Sequence, residues 1–172
     1  MTIRNAGIKD VSLMLAIYAP YVEHTAITFE YTVPSEDEFL RRFHAITENF
    51  PWLVAEEDGK ILGYAYASKF KERDAYQWAV ETSIYVADGM RRRGVGRALH
   101  DKLQELLQDQ GILNMNACIS YIDKEDEYLT QDSVRFHERL GYTIVAHFHQ
   151  CGKKFGRWYD MVWMEKIIGE HL

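Results

Sequence analysis

Apolar positions along the chain switch between two periods, and each switch marks an element. From Val11 to Tyr21 they recur at roughly helical spacing (Val11, Leu13, Met14, Ile17, Tyr18, Tyr21). This predicts a helix capped by Asp10, with Pro20 as its end or a kink. Ser35 followed by Glu38 is a capping-box pattern that opens a second helix through Phe39, Leu40, Phe43 and Ile46, stopped by Pro51. A third stripe, Leu99, Leu103, Leu106 and Leu107, ends at Gly111, and a shorter helix is expected from Asp132-Ser133 through Phe136 and Leu140 to Gly141.

Between these stripes the pattern shortens to alternation or brief apolar runs. Thr2-Ile3-Arg4, Trp52 to Glu56, Ile61 to Ala67, Tyr76 or Trp78 to about Val86, Ile112 to Ser120, Thr143 to Gln150 and Trp158 to Glu165 read as strands. Asp58-Gly59 is a strong hairpin signal. Thr25 to Tyr31 reads as an ordered loop or short extended piece, Phe70 to Ala75 as a charged loop, Asp123 to Glu127 as an acidic loop and Gly152 to Gly156 as a basic turn. The order β-α-α-β-β-β-α-β-α-β-β implies an α/β fold, a mixed central sheet of about seven strands with about four helices on its two faces. At 172 residues, one domain spanning residues 1–172 is expected.

Composition sharpens this picture at three points. The chain is 47% hydrophobic and 27% charged with three prolines, which excludes a disordered or fibrous protein. The formal charge of -6 argues against a nucleic-acid partner, whose affinity would rest on a broad basic face. Cys118 and Cys151 stand alone without metal-ligand spacing, and no apolar run reaches signal-peptide or membrane-spanning length. The expectation is a cytoplasmic protein with no membrane partner.

On this acidic background one basic stretch stands out, Arg91-Arg92-Arg93-Gly94-Val95-Gly96-Arg97, between a β-rich run and a helix. A strand that ends in a glycine turn and becomes a helix gathers free N–H groups, the positive end of the helix dipole and arginine charge in one place, where a phosphate would sit. The spacing lacks the third glycine of the dinucleotide fingerprint, and no Gly-Lys-Ser/Thr follows as in a nucleoside-triphosphate loop. The remaining pattern, Arg-x-x-Gly-x-Gly, resembles the acetyl-CoA pyrophosphate loop of the GNAT superfamily of N-acetyltransferases, matched at Arg91, Gly94 and Gly96.

The resemblance extends to the phosphinothricin/methionine sulfoximine acetyltransferase branch. It is carried by Thr25 to Glu30, Trp78 to Val86, Ser133 to Tyr142 and Lys154 to Asp160, and so covers most of the chain. It implies the GNAT fold, acetyl-CoA as cosubstrate and a small-molecule primary amine as acceptor. The fourth strand of the family holds the pantetheine arm through its backbone, which maps onto Ile84, Tyr85 and Val86. The pyrophosphate role maps onto the amides from Arg92 to Arg97, Val95 included.

Glu81 lies mid-strand among apolar residues, on the face shared by Ala79, Ser83 and Tyr85. A carboxylate there is costly to bury without a task, and a desolvated one could take the proton an acceptor ammonium must lose. By resemblance it is the family's base. His137 stands where the family places a proton donor for the departing thiolate, and a packing role is equally open to it. Thr130 and Ser133 correspond to a CoA-contacting Asn-x-x-Ser, with Thr replacing Asn after a longer loop from Ile122 to Leu129 that contains Tyr128.

For an amino-acid acceptor the matching pocket positions are Phe29, Glu30, Arg73 and Tyr76, with Arg73 favoured over Lys71 as the carboxylate partner. The branch builds its pocket partly across a dimer, so a homodimer is expected, with Phe148, Phe155, Trp158, Tyr159 and Trp163 as possible interface. His147 and His149 face one way on a strand, but with no third ligand nearby no metal is expected. The favoured acceptor is the α-amino group of a methionine sulfoximine- or phosphinothricin-like amino acid. A polyamine, an aminoglycoside, a protein N-terminus, or a CoA-binding module without catalysis are the alternatives.

Overall fold

The computed structural model describes residues 1–172. In chain order the elements are β1 (Thr2–Asn5), α1 (Val11–His24), α2 (Glu36–Thr47), β2 (Trp52–Glu57), β3 (Lys60–Lys69), β4 (Ala79–Val86), α3 (Val95–Asp109), β5 (Asn114–Tyr121), α4 (Asp132–Arg139), β6 (Thr143–Lys154) and β7 (Arg157–Ile167). Short 3-10 turns precede α1 and β4. All seven strands form one sheet in the order β1-β2-β3-β4-β5-β7-β6. Every neighbouring pair is antiparallel except β4 and β5, which run parallel.

That pair positions the site. β4 and β5 are in register only at Ala79↔Asn114, Val80↔Met115 and Glu81↔Asn116. Beyond Glu81, β4 continues on β3 to Val86, while β5 follows β7 to Tyr121. The sheet therefore opens into a split whose apex is at Glu81. At the apex, Asn116 Nδ2 donates to the Val80 carbonyl (3.1 Å) and Thr82 Oγ1 to the Asn116 carbonyl (3.4 Å).

The helices cover both faces. Leu99, Leu103 and Leu107 of α3 are fully buried against Ala65, Val80, Met115 and Val162, and each such side chain contributes roughly 1.5–3 kcal/mol by leaving water. On the other face Met14, Tyr18 and Val22 of α1 and Phe39 and Phe43 of α2 pack on Trp52, Val54 and Tyr64. A small third cluster, Ala26, Leu129 and Tyr159, seats the loop after α1 on the β6–β7 hairpin.

Local chemistry departs from the sequence expectation in a few places. Asp10 does not cap α1; its carboxylate accepts from Arg4 (2.8 Å from each of two nitrogens) and from the Gly7 amide (2.8 Å). Pro20 neither ends nor stops α1, which runs to His24. Only half of the capping box forms: Ser35 Oγ accepts from the Glu38 amide, while the Glu38 carboxylate turns to Arg41 and Arg42. β6 reaches Lys154 because its edge position tolerates two register shifts, and Gln150 adopts a φ of +47° in the second.

Candidate active site

The open edge of β4 follows from the register. The Ala67 amide points away to the Pro51 carbonyl (3.2 Å), so the Ala67↔Thr82 pair exchanges no ladder bond. Thr82, and by alternation Ile84 and Val86, turn their backbone groups toward β5. Beyond the apex, Ile84 has no strand opposite it, which leaves a backbone donor and acceptor facing the split. The Val86 carbonyl is capped by Tyr21 Oη (2.6 Å), which anchors α1 to the far end of the split. This role of Tyr21 was not legible from a helical stripe.

At the mouth of the split the chain turns through Arg91 to Gly94 into α3. Arg92 (φ +62°) and Gly94 (φ +81°) both occupy the left-handed region, and no side chain caps the helix. The first intrahelical bond is Ala98 N–H to Gly94 O, so the amides of Val95, Gly96 and Arg97 have no helical partner. The two glycines serve different ends. A Cβ on Gly94 would meet nothing within 4 Å, whereas one on Gly96 would press on the Phe136 ring of α4 at 3.2 Å. Gly94 makes the turn and Gly96 lets α3 and α4 approach. Among the arginines, Arg93 meets Glu57 (3.2 Å), Arg97 lies 4.0 Å from Asp101 and Arg91 covers the Tyr21 ring. Arg92 has no protein partner and is exposed.

Glu81 sits at the apex, half-buried, with no hydrogen bond or ion pair. Desolvation raises its pKa above the ordinary carboxylate value, and the Lys71 charge works in the opposite sense. Lys71 lies over the rings of Phe70 (5.1 Å) and Trp163 (5.6 Å), which meet edge to face. Arg73, the cation favoured from sequence, is exposed at the start of the 3-10 turn and makes no ion pair within the chain. Tyr76 is also exposed, its ring against Phe70. Within this chain Lys71 is the cation whose charge acts on the apex carboxylate. Neither it nor the Phe70–Trp163 pair has a periodic signal, because Phe70 and Lys71 lie in the loop after β3.

The residues expected on the other wall are committed to structure. Glu30 accepts from Arg42 (2.6 and 3.1 Å) and from the Tyr18 hydroxyl, and the Arg42 guanidinium holds its carboxyl below the usual range. Phe29 lies on Gly152, where a Cβ would fall 2.4 Å from its ring. Both residues thus fix the loop after α1, and Glu30 offers no free carboxylate. The same loop is held by Lys154, whose buried ammonium donates to the carbonyls of Val22 and Thr28 (2.8 Å each). Tyr128 is stacked on Phe155 (4.1 Å) with Arg157 across its ring. The Ile122–Leu129 loop is ordered by Asp126, which accepts from the Tyr128 and Leu129 amides, Tyr159 and Arg157.

On α4, His137 is buried at 7% exposure, and its Nδ1 lies 2.7 Å from the Ser133 carbonyl. A carbonyl only accepts, so Nδ1 carries the proton. Burial lowers the pKa of the ring, which leaves a neutral imidazole with Nε2 as an acceptor. Thr130 Oγ1 accepts from the Asp132 amide (3.3 Å) at the start of the helix, and Ser133 is half-buried one turn before His137.

A parallel pair that splits beside a strand with open backbone groups, followed by a glycine turn and an uncapped helix, defines a CoA-dependent acyltransferase site of the GNAT type. Free amides at α3, open space at Gly94 and the unpaired Ile84 edge all fit the pyrophosphate and amide-bearing arm of acetyl-CoA. A family model for the acetyltransferase (GNAT) domain matches residues 3–163. The chain is 34% identical to a phosphinothricin N-acetyltransferase of Streptomyces viridochromogenes, over 92% of this chain and 83% of that one. It is 32% identical to an L-methionine sulfoximine/L-methionine sulfone acetyltransferase of Salmonella typhimurium, over 99% and 96%. The crystal structure of a GNAT phosphinothricin acetyltransferase from Sinorhizobium meliloti in complex with acetyl-CoA superimposes with a TM-score of 0.89 at 35% identity, over 98% of this chain and 88% of that one. The chain belongs to the GNAT family and is an acetyl-CoA-dependent N-acetyltransferase. No helix is long and apolar enough to cross a membrane.

Proposed function

We propose that this enzyme acetylates the α-amino group of a small amino acid of the methionine sulfoximine or phosphinothricin kind. The observation that carries the reading is an unbonded, desolvated Glu81 at the apex of the split, acted on by the charge of Lys71, which lies over Trp163. Such an acceptor presents an ammonium that must lose a proton and a carboxylate that needs a cation, and the two groups offer one of each. Names of relatives that act on these amino acids support the same class.

Bound acetyl-CoA supplies the thioester acyl group. The amides of Val95, Gly96 and Arg97, with Arg92, are assigned to its pyrophosphate, and the Ile84 backbone to its arm. Of the other residues expected there, Tyr85 turns its side chain into the α1 face and Val86 gives its carbonyl to Tyr21. Arg91 and Arg93 act through charge, and Thr130 and Ser133 through the start of α4. Glu81 takes the acceptor proton, directly or through a water, because burial makes the protonated carboxyl more favourable than in solvent. His137 in its neutral form has no proton on Nε2 and so does not serve as the donor to the thiolate. It positions α4 through Ser133, and the thiolate takes its proton from water.

Residues 1–172 act as one domain in a cytoplasmic homodimer. Support for the dimer comes from the apolar surface left on the sheet edge, where Val145, Phe148 and Trp158 are 50–54% exposed. Tyr159 is not part of that surface, being buried, and Trp163 is engaged with Lys71. Arg73 and Tyr76, unpartnered within one chain, are assigned to acceptor binding in the assembled dimer.

Thiol release from acetyl-CoA, measured against amino acids, polyamines, aminoglycosides and peptides, tests the reading. Turnover is expected with amino acids that keep a free carboxylate and to fall when that carboxylate is amidated. Turnover confined to polyamines or peptides would refute the acceptor class. Tight acetyl-CoA binding without turnover of any amine would refute the transfer itself.

A further inference from the structure

A second cluster of chemically capable side chains lies on the face of the sheet opposite Glu81. Tyr121 and Asp160 are register partners and share a face. Tyr121 packs on the α3 side of the core, whereas Tyr159, next to Asp160, points into the Ala26–Leu129 cluster on the other side. Asp160 spans the irregular part of β6: Oδ1 accepts from the Gln150 amide (2.8 Å) and Oδ2 meets His147 Nε2 (2.7 Å). At the register shift between Phe148 and Gly152 the His149 ring stacks on His147, with centroids 4.2 Å apart and planes 18° from parallel. One ligand atom from each of His147, His149 and Asp160 lies within 4.8 Å of the other two. The two histidines are neighbours in sequence; the third ligand comes from the adjacent strand, where no spacing rule would look for it.

We propose that His147, His149 and Asp160 form a binding site for a divalent transition-metal ion of the zinc class. Two imidazole nitrogens and a carboxylate oxygen suit such an ion, and three protein ligands leave one tetrahedral position for water. Ligands roughly 2.0–2.1 Å from one zinc ion stand about 3.4 Å from each other, so His147 and Asp160 must open slightly and His149 must swing inward. Side-chain rotation is enough for this, since His149 is exposed and makes no hydrogen bond within the chain. The carboxylate is already oriented: the Gln150 amide holds Oδ1 and leaves Oδ2 for the ion, as outer contacts do in established sites. The ion would pin β6 to β7 across the bulge. Its place on the face of the sheet opposite the Glu81 side chain separates it from that carboxylate.

Titration calorimetry of zinc chloride into the chelator-treated full-length protein, without acetyl-CoA, tests the site. One equivalent is expected to bind, with zinc raising the thermal midpoint. Affinity is expected to fall by at least about tenfold in His149→Ala and in Asp160→Asn. His149→Ala removes an exposed ring without a hydrogen bond and so leaves folding intact, whereas Asp160→Asn also touches the bulge. A variant with Cys118→Ser and Cys151→Ser is expected to bind as wild type. Unchanged zinc affinity in His149→Ala, loss of binding in the cysteine variant, or no saturable one-equivalent binding would each overturn the proposal.

Discussion

Replacing Gly63 by alanine perturbs the wall of the split from behind. Gly63 lies on β3 opposite Val86, and a Cβ there would fall 2.8 Å from the Tyr85 carbonyl oxygen, 3.2 Å from Val95 Cγ1 and 3.3 Å from Val86 Cα. Two of these neighbours are backbone and cannot rotate away, so β4 must move outward by several tenths of an ångström. Overpacking of this kind costs roughly 1–3 kcal/mol, offset by about 0.4–1 kcal/mol because alanine narrows the unfolded ensemble. The net loss of about 0–2.5 kcal/mol corresponds to a midpoint lowered by up to about 10 °C in a chain of this length. The displaced segment is where β4 faces the split and where Val95 opens α3, so the dissociation constant for acetyl-CoA is expected to rise as well. Calorimetric scanning and acetyl-CoA titration measure the two effects. Gly59→Ala is the contrast, since Gly59, unlike Gly63, has a positive φ (+75°) and nothing within 4 Å of its missing Cβ, so alanine there strains the backbone without crowding β4 and is expected to leave acetyl-CoA affinity unchanged. If Gly63→Ala kept both the wild-type midpoint and the wild-type acetyl-CoA affinity, the account of β4 as a wall held at close contact would be wrong.

Three further outcomes are expected. Lys154→Met removes two charge-assisted bonds to Val22 and Thr28, partly compensated because a buried charge is no longer desolvated. A stability loss of about 2–4 kcal/mol by denaturant titration is expected, with the acceptor KM rising more than the acetyl-CoA KM. Lys71→Ala is expected to raise the acceptor KM by roughly tenfold or more with kcat less affected, as loss of one charged contact would do; steady-state kinetics with a carboxylate-bearing acceptor would show it, and an unchanged KM would remove Lys71 from the site. Glu81→Gln is expected to stabilise the fold at neutral pH. The folded-state pKa of Glu81 is raised by burial, so its contribution to stability is present at low pH and lost as pH rises through that pKa. The gain from Gln therefore grows from the ordinary carboxylate range upward, and thermal midpoints measured across pH would reveal a flat or reversed difference if the burial argument failed.

Much of the fold could be read from the chain because local signals agreed with one another. Asp58-Gly59 adopts positive φ at both residues, as its hairpin role requires, and the Leu99–Leu107 stripe meets the sheet core. Asp10 misled because its carboxylate found a stronger partner in Arg4 than the helix amides. The strand ends were harder to read, since β6 and β7 extend each other by pairing rather than by composition. In the site, the side-chain face of Glu81 and the glycine turn follow from alternation and spacing. The split itself does not, because it depends on β4 and β5 losing register after three pairs. The acceptor wall was the least legible part. Glu30 was read as a pocket residue, yet it pairs with Arg42 on a different element, and the effect of the Lys71 charge on Glu81 depends on how an irregular loop folds over Trp163.

The central claim, that Glu81 is the base for amine acetylation, is tested most directly by the pH dependence of kcat/KM for wild type and Glu81→Gln with the best acceptor found. A wild-type acid limb is predicted to lie above the ordinary carboxylate range, as burial of Glu81 requires. In Glu81→Gln the rate is predicted to fall by about 10²–10⁴-fold, roughly 2.7–5.5 kcal/mol of transition-state stabilisation, and that limb to disappear. A variant that turned over within a few-fold of wild type, with the acid limb unchanged, would contradict the assignment.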